Sequence, residues 1–135
     1  MKMCRIYIPH YNWNVTAFFD ATAEDEAVIV DELTMIRCPE HTLTRVVMNL
    51  QRDKIDTGFT YSNRILRESV MTVGHASSPR EFLNSYAHEL RHLVDDIAVS
   101  SFLPMRGEEV GYLSGVLSWE FWSEVHDYLC CRCQS

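Results

Sequence analysis

Near the N-terminus apolar positions alternate loosely with polar ones. Ile6, Ile8 and Val15 are offset by charge or polarity, and Pro9 and Asn12 interrupt the run. This pattern predicts two strands, near residues 3–8 and 14–19, joined by a turn at His10–Asn14. From Thr22 the period lengthens. Thr22 opens a Thr-x-x-Asp-Glu start, and apolar positions 27, 28, 30, 33 and 36 predict a helix over Ala23–Arg37, with acid in its first turn and Pro39 beyond its end. Leu43, Val46, Val47 and Leu50 predict a second helix over about Glu40–Gln51, broken at Asp56-Thr57-Gly58. The segment Phe59–His75 is rich in β-formers, which predicts a strand or hairpin whose clearest stretch is Ser69–Val73.

Ser78-Pro79-Arg80-Glu81 is an explicit helix start: serine caps, proline takes the first helical position, and Glu81 falls where a capping box needs it. The helix it opens has a predicted core side of Leu83, Ala87, Leu90, Val94 and Ile97, and Pro104 ends the run. A last helix is predicted from about Glu108 to Tyr128. No repeat, linker or low-complexity tract divides the chain, so residues 1–135 are expected to form one α+β domain, a small N-terminal sheet packed on helices.

The third helix carries the chemistry. In Tyr86-Ala87-His88-Glu89-Leu90-Arg91-His92 the two histidines lie one turn apart on one face, where two imidazoles can hold one metal ion. Glu89 lies about 100° round the helix, beside such a metal rather than bonded to it, which suits a general base acting on water. His-Glu-x-x-His on a helix is the zinc metalloprotease signature. Catalytic zinc takes three protein ligands as a rule, and Glu108-Glu109 at the start of the next helix is the evident supply of the third. Asp95 and Asp96, three and four residues past His92, are candidate acceptors for an imidazole N–H, although surface carboxylates are more commonly just solvated. Tyr112, His126 and His75 are the candidate transition-state donors.

Composition narrows the field. A formal charge of −7 leaves no basic surplus to displace counterions from a phosphate backbone, which argues against a nucleic-acid partner and against an anionic membrane surface. No apolar run approaches a membrane span, and Met1–Pro9 is too short, and too soon broken by proline, for a signal peptide. Five cysteines, an odd number, then read as reduced thiols, and the expected location is the cytoplasm. A second metal site of Cys130, Cys131 and Cys133 with His126 is disfavoured by geometry, since adjacent cysteines make awkward tetrahedral ligands.

His88-Glu89-Leu90-Arg91-His92 followed by Glu108-Glu109-Val110-Gly111-Tyr112 resembles the gluzincin metallopeptidases, most of all their compact single-domain members and small peptidases of bacteria and phages. The resemblance covers roughly residues 69–122. It implies a zincin-like fold in which His88, His92 and Glu108 hold Zn2+, Glu89 activates water, and a peptide or protein is cut. It also implies a strand before the metal helix that lines the cleft and pairs with an extended substrate, a place Ser69–Val73 would fill. Glu108 is favoured over Glu109 by a stripe of small residues: Glu108, Gly111, Gly115, Ser118 and Trp122 share one face, which is expected to pack closely on the metal helix. The expected function is a narrow intracellular zinc peptidase. The alternative, from a different class, is a zincin-fold regulatory protein with little or no turnover that binds a partner along the same strand.

Overall fold

The computed structural model describes residues 1–130. Strand β1 (Lys2–Ile8) turns through a short 3-10 segment at Pro9–Tyr11 into β2 (Trp13–Ala21). The chain then crosses one face of the sheet as α1 (Glu26–Met35) and α2 (Glu40–Gln51) and returns as the hairpin β3 (Gly58–Asn63) and β4 (Glu68–Gly74). The long α3 (Pro79–Ser100), α4 (Glu108–Glu120) and the short α5 (Trp122–Val125) follow. The sheet is mixed, in the order β1-β2-β4-β3, with β2 and β4 parallel and the other pairs antiparallel. The fold is therefore α+β.

Local signals do what they should. Thr22 N–H donates to Asp25 Oδ2 at 2.9 Å, the reciprocal arm of the first helix start. Ser78 Oγ accepts from Glu81 N–H at 3.2 Å, with Pro79 in the first turn of α3. Helix α2 spans the residues its apolar spacing predicts. The hairpin is present, and β4 is buried on both faces because strands flank it and helices cover it above and below.

Alternation along β2 and β4 splits the interior into two cores. Phe18 and Val70 face α1 and α2, packing with Ile29, Leu33 and Val46. Val15, Ala17, Phe19, Met71 and Val73 face α3, α4 and α5. Phe19 is the hub of that second core, with ring centroids 6.4 Å from Phe82, 6.0 Å from Tyr86 and 5.6 Å from Phe121.

Three expectations need correction here. On α3 the buried side is Phe82, Ser85, Tyr86, Glu89, Leu93, Val94, Ile97 and Ala98; Leu83 and Ala87 are exposed and Leu90 is only half-buried. The aromatic pair Phe82 and Tyr86 docks on Phe19 and turns the helix by part of a turn from the predicted face. The last helix is not continuous: it breaks at Phe121, which is fully buried. And α4 buries Val110, Leu113 and Leu117, so Gly111, Gly115 and Ser118 face solvent. A Cβ at Gly111 or Gly115 would meet nothing within 4 Å, so the small-residue stripe does not pack on α3.

Candidate functional site

Helix α3 lies across the end of the sheet that β3 borders, and its polar residues divide between two surroundings. His88 and His92 are exposed, their ring centroids 4.8 Å apart and their planes 75° from parallel. Their Nε2 atoms stand 3.1 Å apart. With Zn–N bonds of about 2.0–2.1 Å, that separation subtends about 100° at a shared ion, close to the tetrahedral value of roughly 109°. The same spacing lets one Nε2–H donate to the other Nε2 when no ion is held. The spacing of these two donors is compatible with one divalent ion of the zinc type, of whose usual three protein ligands they would supply two.

Glu89 turns the other way, into the seam between α3 and β3, and is 5% exposed. Thr60 Oγ1 donates to its Oε1 at 2.9 Å. Its Cγ packs where a side chain on residue 58 would be: a Cβ there would lie 2.9 Å from Glu89 Cγ and 2.5 Å from Thr72 O. Gly58 is thus what lets the start of β3 approach both β4 and the carboxylate. Gly58, Asp56, Thr57, Asn84, Ser85, His88 and Glu89 line one cleft of about 300 Å³. The Glu89 side chain and the His88 imidazole open onto the same space.

A second polar chain braces this seam. Trp13 Nε1–H donates to Ser69 Oγ at 2.9 Å, and Ser62 Oγ donates to Asp96 Oδ2 at 2.7 Å. Ser62 and Ser69 hydroxyls are 2.6 Å apart. Since the Ser62 proton goes to Asp96, Ser69 must donate to Ser62, and the chain runs in one direction from β2 to α3.

Other expected members of the site lie elsewhere. Asp96 serves Ser62, with Arg64 3.8 Å away, and Asp95 accepts from Arg91 Nε at 2.8 Å; neither accepts from an imidazole. Tyr112 is exposed on α4 beside Glu109 and Tyr11. His126 lies tilted against the Trp122 ring, its Nδ1 2.9 Å from the Trp122 carbonyl oxygen. His75 lies in a different cleft of about 490 Å³, its Nδ1 2.6 Å from Asp20 Oδ1. Cys131 and Cys133 lie outside the described residues.

Glu108, the expected third ligand, opens α4 as an exposed first-turn residue, with Glu109 exposed beside it. Helix α3 runs on past His92 to Ser100, about 12 Å along its axis, before the loop to α4 begins. Among the described residues, no three of His, Cys, Asp and Glu gather around a common point.

The expected cleft strand changes as well. Ser69–Val73 belongs to β4, whose two edges are occupied by β2 and β3, so it cannot pair with a substrate. The strand beside Glu89 with an open edge is β3. Thr60 and Gly58, which hold Glu89, carried only a weak signal in the sequence: a glycine opening a strand, where backbone approaches closely.

Burial shapes two further groups near this core. The Tyr86 phenol, on the α3 face opposite the histidines, is pushed up to about 12 by burial, so it keeps its proton throughout the neutral range. Burial also pushes the Cys4 thiol up to about 11, with the Glu124 carboxylate beside it adding to the effect. Among the described residues no helix is long and apolar enough to cross a membrane. Comparison with protein-family models, with curated proteins and with solved structures finds no match.

Proposed function

We propose that the chain is a metal-dependent peptidase in which His88 and His92 hold a zinc ion and Glu89 is the general base. The observation that carries this reading is the pair of imidazole nitrogens 3.1 Å apart, with a buried glutamate of the same helix turn opening onto the adjoining cleft. Bound there, the metal supplies a Lewis acid that polarises a carbonyl and acidifies water. Glu89 takes a proton from water and returns it to the leaving amine. The Thr60 hydroxyl fixes one carboxylate oxygen, so the other is presented in a constant direction. The open edge of β3 favours an extended peptide, held by main-chain hydrogen bonds alongside the cleft. Of the resemblance to gluzincins, the His-Glu-x-x-His half supports the reading and the Glu108 half does not. The chain would work in the cytoplasm, where the Cys4 and Cys38 thiols stay reduced.

Protein purified without chelator should carry zinc by elemental analysis. Glu89→Gln should keep the metal and lose hydrolysis of a peptide library, and His88→Ala should lose both. Metal at background level in wild type ends the proposal. Metal without any cleavage transfers the site to the binding class, with β3 as the docking strand.

A further inference from the structure

The sheet face turned towards α1 and α2 carries a cavity of its own, of about 190 Å³. Val46 and Leu50 of α2, Ala21 at the end of β2 and Phe59 of β3 supply its apolar walls. Thr72 of β4 lines it as well. In the sheet Thr72 is in register with Phe18 on one side and Phe59 on the other, and both rings pack in the core under α1 and α2. Residues in register point to one face of a sheet, so the Thr72 side chain points to the cavity side. It is 2% exposed, and its hydroxyl has no hydrogen-bond partner among the described residues. An unpaired buried hydroxyl costs stability that an apolar residue of the same shape would not.

We infer that this cavity binds a neutral single-ring molecule whose hydroxyl or amide group hydrogen-bonds to Thr72 Oγ1. Size sets the ring: an engineered apolar cavity of about 150 Å³ takes benzene, so the space here suits one ring with one polar substituent. The walls set its character, since Val46, Leu50 and Phe59 offer an apolar body nothing to bond and much to pack on. Charge sets its neutrality. The charged lining residues, Asp53 and Lys54, are exposed and so lie at the mouth, where their opposite signs favour neither kind of ion. A charged group carried in as far as Thr72 would lose its hydration for a single hydroxyl. Thr57 and Gly58 border both this cavity and the cleft of Glu89, but the two open on opposite faces of the sheet. Binding here needs neither the histidines nor a metal.

Amide chemical shifts of ¹⁵N-labelled protein, with phenol, toluene and benzoate titrated separately to about 5 mM, test this. Phenol should give saturable shifts confined to the residues around the cavity, with a Kd of about 1 mM. Thr72→Val should weaken phenol at least about fivefold and leave toluene, which makes no hydrogen bond, no weaker than in wild type. The variant should unfold at no lower temperature than wild type, since a methyl group replaces an unpaired hydroxyl. Thr72→Ser, which keeps the hydroxyl, should hold phenol within about threefold. Phenol that produces no saturable shift leaves the cavity to water and overturns the inference. Phenol affinity that is indifferent to Thr72→Val, or benzoate that binds more tightly than phenol, overturns it as well.

Discussion

Thr60→Val isolates the contact that orients the proposed base. Valine keeps the shape and the strand preference of threonine, so the change removes one hydroxyl and little else. The carboxylate it leaves is 5% exposed and loses the donor at 2.9 Å. A hydrogen bond to a charged acceptor contributes about 1.5–3 kcal/mol, and little water can replace it at that depth. With about 2.1 cal/mol/K of unfolding entropy per residue, a domain of this size loses roughly 3–4 °C per kcal/mol. Thermal unfolding by circular dichroism, in excess chelator, should therefore fall by about 5–10 °C. In a Glu89→Gln background the same change should cost less, about 0.5–1.5 kcal/mol, because the lost bond is then between neutral groups. A coupling of about 1 kcal/mol between the two positions is expected from the cycle. A Thr60→Val shift below about 2 °C, or equal shifts in both backgrounds, would refute the idea that Thr60 holds the Glu89 carboxylate.

Glu108→Ala and Glu109→Ala should each leave zinc affinity within about threefold of wild type in chelator competition, whereas His88→Ala should abolish it; a large loss at Glu108 would mean that α4 reaches the histidines in the metal-bound protein. Gly58→Ala should destabilise by about 1–3 kcal/mol in urea unfolding, because the new methyl group meets the Thr72 carbonyl and the Glu89 stem; an unchanged midpoint would show that β3 can move away without cost. Cys4 should react slowly with Ellman's reagent at pH 8, as a thiol pushed up to about 11 is only about 0.1% thiolate there. Its raised value also gives a sign: stability tied to the protonated thiol is intact below the ordinary thiol range, near pH 9, and is lost as pH rises through about 11. Cys4→Ser should flatten that alkaline loss, and an identical pH profile in the variant would count against it.

What the sequence determined is what neighbouring residues decide among themselves. Ser78 and Pro79 start α3 because an orphan N–H and a preset φ are problems of one helical turn. His88 and His92 converge because a spacing of four on a helix leaves them little choice. The hairpin and α2 follow from periods that need no distant partner. The structure decided everything that depends on what a face meets. Leu83-Ala87-Leu90 and Phe82-Tyr86-Leu93 are both apolar stripes on α3, and only the fit of two aromatic rings on Phe19 selects the second. Sequence order puts β4 before the metal helix, yet pairing on both sides closes its edges and leaves β3 beside Glu89. The small stripe of α4 was legible as a close approach, but the apolar Val110, Leu113 and Leu117 claim the core and turn it outward. Where Glu108 ends up is likewise a matter of packing: at the start of α4 it is exposed, and among the described residues no third donor gathers beside the histidines.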